Sequence, residues 1–221
     1  MTNLEVIKEE VVPGSQKLYI IFGGIASGVG MPPFEFYRAS KILDETRIFV
    51  RDVQQVWYHA GLPGFSTNIR DTACYLERLI DKHSPDSVIM VGNSMGGFAA
   101  ILFSHMVSNA RAVAFAPQTF ISPVRRFLVR DRRWRSNIIK AYQKSWNSPR
   151  CWDLGRLKSK AGWSVQIHVS ILDRLDNLHA QNLRETEGVE INEYSVGGHD
   201  LVKNIRDSGK LASILGSQES L

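Results

Sequence analysis

Short apolar runs of strand length alternate along the chain with longer amphipathic stretches. Lys17–Phe22 is a continuous apolar run that stops at Gly23-Gly24, and a Gly- and Pro-rich loop follows through Pro33. Further strands are predicted at Arg47–Asp52, Ser87–Val91, Ala110–Phe115, Val165–Ser170 and Val189–Val196. Helices are predicted between them. Asn68–Lys82 carries Ile69, Ala73, Leu76, Leu79 and Ile80 on one face, Gly97–Met106 is apolar, and Phe34–Leu43, Leu175–Glu185 and Leu201–Leu215 have helical spacing. Strands that alternate with helices argue for an α/β fold with a mostly parallel sheet flanked by helices. Gly and Pro punctuate the joins without a long linker. The reading is therefore one domain over residues 1–221, interrupted by an insertion at about 120–160.

Composition changes this picture little. With 43% hydrophobic and 22% charged residues, the 221-residue chain resembles an ordinary globular protein. The first ten residues lack the basic start and apolar run of a signal peptide, and no segment reaches the roughly 18 apolar residues of a membrane span. A cytoplasmic protein with no membrane partner is expected. Cys74 falls in a helical pattern and reads as a core residue. Two distant cysteines, Cys74 and Cys151, make a poor disulfide or metal pair. No metal or cofactor is expected.

Charge is informative because it is uneven. Residues 124–160 hold twelve Lys or Arg against Asp131 and Asp153, a local charge of +10 in a chain of +5, so the remainder is acidic. Trp134, Tyr142, Trp146 and Trp152 are interleaved with the basic residues.

The sharpest chemical signal is Gly92-Asn93-Ser94-Met95-Gly96-Gly97. It fits G-x-S-x-G, in which a serine sits on a sharp strand-to-helix turn and the flanking glycines avoid clashes. Context carries the assignment: Val88–Val91 precedes the motif as a strand and Phe98–Phe103 follows as a helix. A serine hydroxyl needs a base to take its proton. His59 and His83 precede Ser94, His105 lies in the next helix, His168 is inside a strand and His179 is inside a helical pattern. His199, after a strand and Gly197-Gly198, is the candidate base. Asp173 and Asp176 both follow the fifth strand and are the candidate acids; distance from the strand end favours Asp173. An oxyanion site needs two preorganised donors. One is the N–H of Met95; the other comes from Gly24 or Ile25, after the first strand.

The chain resembles the α/β-hydrolase superfamily, and within it a group of small bacterial serine esterase- or thioesterase-like members. The resemblance covers most of the chain and rests on four stretches: Asp52 with Trp57-Tyr58-His59-Ala60-Gly61, the Gly92–Gly97 turn, Ala114-Phe115-Ala116-Pro117-Gln118-Thr119, and Gly197-Gly198-His199. The turn identifies the superfamily, and the Trp-Tyr and Ala-Pro-Gln-Thr strings are more specific. The local string Leu175-Asp176-Asn177-Leu178-His179-Ala180 looks like the acid-bearing stretch of that group. The resemblance thus implies Ser94, Asp176 and His199 as catalytic residues, with Asp173 as the alternative acid. Gly23-Gly24 departs from the His-Gly opening of many lipases, which leaves the second oxyanion donor open between Gly24 and Ile25. Trp57 and Tyr58 are either part of the substrate pocket or an aromatic pair packed under a loop.

These readings lead to a serine hydrolase that cleaves an ester or thioester through an acyl-enzyme on Ser94. The rivals are an acyltransferase using the same residues and a non-catalytic binding module of hydrolase fold. The insertion reads as a lid: either a helical cap with a solvated basic face, or a surface for an anionic small-molecule or carrier-bound acyl substrate. Nucleic acid is not the expected partner, because no recognised binding motif accompanies the charge.

Overall fold

The computed structural model describes residues 5–25, 35–145 and 149–216. Among these residues seven strands form one sheet: β1 (Ile7–Glu10), β2 (Lys17–Phe22), β3 (Thr46–Val50), β4 (Ser87–Asn93), β5 (Ala110–Phe115), β6 (Val165–Ser170) and β7 (Val189–Tyr194), in the order β1-β3-β2-β4-β5-β6-β7. All pairs are parallel except β1 with β3, which run antiparallel at the edge.

The period of two along each central strand fills both faces. Leu18, Ile20 and Phe22 of β2 pack into one apolar layer, while Tyr19 and Ile21 pack into the other. The first layer is covered by α1 (Ile69–His83) and by α2 (Met95–Met106), which has ten buried residues. The second is covered by two short C-terminal helices through Leu201, Ile205, Leu211 and Leu215. Asn68 caps α1 by accepting from Asp71 N–H, so the helix begins where the polar residue stands ahead of the apolar stripe.

Between β5 and β6 the chain leaves the sheet as two helices, α3 (Pro123–Val129) and α4 (Arg135–Ser145). After β6 come α5 (Arg174–Gln181) and, after β7, α6 (Leu201–Asp207) and α7 (Leu211–Gly216).

Several expectations are corrected. A single helix over Leu201–Leu215 is broken by Gly209, whose φ of 76° ends α6 in the left-handed region. The helix expected over Phe34–Leu43 is a turn followed by one 3-10 turn at Ala39–Ile42, with Phe34 outside the described residues. Cys74 is exposed on α1 rather than in the core, because the apolar stripe passes through Ala73 beside it. Trp146 also lies outside the described residues.

Candidate active site

β4 delivers Ser94 to the C-terminal edge of the sheet. The serine has φ 56° and ψ −116°, a strained conformation for a side-chain-bearing residue. Its neighbours enforce that geometry. Ser94 N–H donates to Phe115 O at 2.9 Å on β5, and Ser94 O accepts from Phe98 N–H at 3.1 Å in α2. The glycines are obligatory. A Cβ on Gly92 would lie 2.1 Å from Gly96 O, and one on Gly96 would lie 2.3 Å from Phe22 O.

The acid and the base come from neighbouring strand ends. Asp173 caps α5 by accepting from the N–H groups of Leu175 and Asp176 at 2.9 Å, and so turns Asp176 inward. Asp176 is fully buried, and its Oδ2 lies 2.6 Å from His199 Nδ1. Of the two candidate acids, the structure brings Asp176 to the histidine and gives Asp173 the cap. The bond to Asp176 raises the His199 pKa above the ordinary value; burial and the nearby Arg133 cation oppose the rise. Burial by itself pushes the Asp176 carboxyl up, but bonds from His199 and Arg133 outweigh it and hold the group below its usual range. With Nδ1–H donating to Asp176, the Nε2 lone pair is free to accept a proton.

Ser94 and His199 line one pocket of about 400 Å³, together with Gly23, Gly24, Ile25, Glu35, Phe36 and Asn93. Met95 opens α2, where its N–H has no intrahelical acceptor. Of the two candidate second donors, Gly24 already donates its N–H to Glu35 Oε2 at 2.8 Å, which favours Ile25.

Three features of the site were not legible in the sequence. Glu35 joins the Gly24 loop to the serine turn, accepting from Asn93 Nδ2 at 3.0 Å as well as from Gly24. Burial raises its pKa, and the bonds from Gly24 and Asn93 oppose that rise. Arg133 reaches from the insertion and donates from Nη1 to Asp176 Oδ1 at 2.7 Å. The cations that line the pocket are Arg51, Lys203 and Arg206, all outside the insertion, and Asp200 lines it with them. Among the described residues of the insertion, only Trp134 lines the pocket.

Trp57 and Tyr58 are corrected as pocket residues. Both are fully buried, and Tyr58 Oη donates towards Gly23 O at 2.9 Å and Val50 O at 3.2 Å. Asp52 explains why. It accepts four backbone N–H groups, from Gln54, Gln55, Val56 and Tyr58, at 2.7–3.0 Å, and curls the loop so that both rings turn into the core.

A doubly covered, mostly parallel sheet with a strained serine between a strand and a helix defines an α/β-hydrolase. The sequence profile of the serine aminopeptidase S33 family (Hydrolase_4) matches residues 54–167, and the chain belongs to that family. The match includes Ser94 and ends before Asp176 and His199. No curated protein sequence matches the chain. Solved structures share the fold at low identity. The capsule O-acetyltransferase of Neisseria meningitidis serogroup A aligns with TM-score 0.69 and 14% identity, over 96% of this chain and 91% of its own. MenH from S. aureus aligns with TM-score 0.55 and 12% identity, over 97% and 99%. An acetyl xylan esterase from Paenibacillus sp. R4 aligns with TM-score 0.54 and 15% identity, over 91% and 79%.

Proposed function

We propose that the protein is a serine esterase or thioesterase working through an acyl-enzyme on Ser94. One observation carries this reading: a strained Ser94 shares a pocket with His199, whose Nδ1 lies 2.6 Å from the buried Asp176. His199 Nε2 takes the serine proton as Oγ attacks the acyl carbonyl. The N–H groups of Met95 and Ile25 hold the oxyanion. The protonated His199 then gives its proton to the departing alcohol or thiol, and water, activated by the same base, releases the acid.

A second reading has its own support. Transfer of the acyl group to a hydroxyl acceptor uses the same residues, and the fold is shared with an enzyme described as a capsule O-acetyltransferase, one structure of which is a complex with CoA. Arg51 on the pocket lining, beside Lys203 and Arg206, which are paired with Asp200 and Asp207, suits an acyl donor that carries phosphate or carboxylate. The insertion's charges no longer support that role directly, because its described residues stay off the pocket except for Trp134.

A fluorophosphonate probe tests the nucleophile. Wild-type protein is expected to label and Ser94→Ala to stay unlabelled; equal labelling of both would end the enzyme reading. A panel of acyl esters and acyl-CoA thioesters, assayed with and without a hydroxyl acceptor, separates hydrolysis from transfer.

A further inference from the structure

The helix α3 is amphipathic in reverse. Val124, Phe127 and Leu128 fall at i, i+3 and i+4 on one face, and they are 68%, 81% and 70% exposed. Arg126, on the opposite side, is only 8% exposed. Its Nη1 lies 3.3 Å from Asp131 Oδ2, and its Nη2 donates to Arg133 O at 2.6 Å. A helix that buries its arginine and presents its Val, Phe and Leu to solvent is not built for the core beneath it.

The apolar face does not stand alone. Arg174 Nη1 donates to Val129 O at 3.3 Å and so ties the loop after β6 to the end of α3. That loop carries Ile171 and Leu172, 46% and 66% exposed. Among the described residues eleven large apolar side chains are exposed, and five of them lie on these two joined segments. Single exposed apolar residues are ordinary, but five of them on two segments joined by a hydrogen bond point to a surface that something covers.

The insertion's share of the charge around it is of one sign, and the carboxylate of the 171–174 loop, Asp173, is engaged as the cap of α5. The insertion's two carboxylates are both buried in ion pairs: Asp131 with Arg126, Arg133 and His179, and Asp153 with Arg125. Arg130, Arg132, Arg135, Lys140 and Lys144 remain exposed, so the outer surface of residues 123–145 is cationic with no exposed carboxylate. A second copy of the chain seated face to face would oppose two segments of this charge, which disfavours self-association.

We propose that α3 and the adjoining 171–174 loop dock the protein on an anionic lipid surface. Phe127, Leu128 and Val124 enter the boundary between headgroups and acyl chains, while the surrounding arginines and lysines meet lipid phosphates. Apolar insertion or charge alone gives weak, reversible binding, and this surface supplies both. Peripheral contact needs no spanning helix, so the expectation of no membrane partner, which came from the lack of a span, does not bear on it. The proposal is independent of the chemistry at Ser94.

Vesicle sedimentation tests it. The full chain is incubated with phosphatidylcholine vesicles, and with vesicles in which about a third of the lipid is phosphatidylglycerol. Wild type is expected to sediment with the anionic vesicles only, and less so as salt is raised. Phe127→Ser with Leu128→Ser, and separately Arg130→Gln with Arg132→Gln, are each expected to weaken binding about tenfold or more. The altered side chains are exposed, and an unchanged thermal midpoint in each double variant shows that the fold is intact. Wild type left in the supernatant with both vesicle types overturns the proposal. So does anionic binding that survives the Phe127 and Leu128 changes, which would be non-specific charge attraction. Light scattering that finds a dimer dissociated by those two changes, without vesicle binding, assigns the face to a second copy and likewise overturns it. Indifference to vesicles with tight binding of an acidic acyl-carrier protein assigns the face to a protein partner and overturns it too.

Discussion

At the scale of single residues, two aspartates three positions apart have different tasks. Asp176 is buried against His199, and Asp173 accepts two helix N–H groups. Asp176→Asn is therefore expected to lower kcat/KM by about 10³–10⁴-fold, because the imidazole loses the partner that fixes its tautomer. Asp173→Asn should stay near wild type, since asparagine caps as well, whereas Asp173→Ala costs about 1 kcal/mol of stability. Loss of turnover in Asp173→Asn alone would reverse the assignment. Arg133 acts through Asp176. His199 is faced by Asp176, Asp173, Glu35 and Arg133, and of these four only Arg133 lowers its pKa. In the proposed mechanism the base works deprotonated, so kcat/KM should rise with pH through a pKa above the ordinary histidine value of about 6.5. Arg133→Gln removes the opposing cation and should move that limb to still higher pH; a limb that does not move would show that Arg133 has no electrostatic role. Ser94 and His199 were legible because each sits in a glycine-marked turn after a strand. Glu35 and Arg133 were not, because Asn93 and Asp176, which they meet, lie 58 and 43 residues away and a lone charge carries no periodic signal.

At the scale of elements, the turn after β4 is the most demanding piece of backbone. Gly92→Ala would drive a Cβ to 2.1 Å from Gly96 O and 2.7 Å from Gly97 N, against backbone with nothing flexible to yield. That variant should lose several kcal/mol, at least about 3, and fluorophosphonate labelling with it, as read by urea unfolding and by the probe. A variant of wild-type stability would mean that the turn relaxes freely. The central strands were legible to within a few residues because they are apolar on both faces and bounded by turn residues: β2, β5 and β6 fall on Lys17–Phe22, Ala110–Phe115 and Val165–Ser170, where the apolar runs place them. The edge strand β1, Ile-Lys-Glu-Glu, was not. It is half-buried and charged, as an edge that must avoid further pairing is, and shows no apolar alternation. The interior of the insertion was equally opaque, because α3 inverts the usual relation between apolar residues and the core.

At the scale of the whole molecule, the histidines outside the pocket set how the protein meets acid. His59 and His168 are buried, and burial lowers the pKa of each to about 4. Burial also lowers that of His179, which lies 3.1 Å from Asp131. In the unfolded chain each takes a proton near pH 6.5. Between pH 6.5 and about 4 the unfolded state therefore binds protons that the folded state refuses, and stability falls as pH falls through that window. For a difference of roughly 2.5 pH units the loss is about 3 kcal/mol for each of His59 and His168, as an upper figure. His199 has the opposite sign. Its raised pKa contributes stability that is complete below about 6.5 and is lost as pH rises through the folded value, but its partial exposure keeps that contribution small. The raised carboxyl pKa values of Glu35 and Asp52 oppose this loss and the lowered ones of Asp131 and Asp176 add to it, so with two deeply buried histidines against one partly exposed one, urea midpoints measured at intervals from pH 7.5 to pH 4 should fall on the acid side. His168→Gln should flatten the slope by about one proton's worth, because the amide can still meet Tyr194 Oη, 2.9 Å from the histidine Nδ1, and does not titrate. A slope unchanged by that substitution would mean that His168 already carries its proton in the fold, against the apolar packing of Phe115 on its ring.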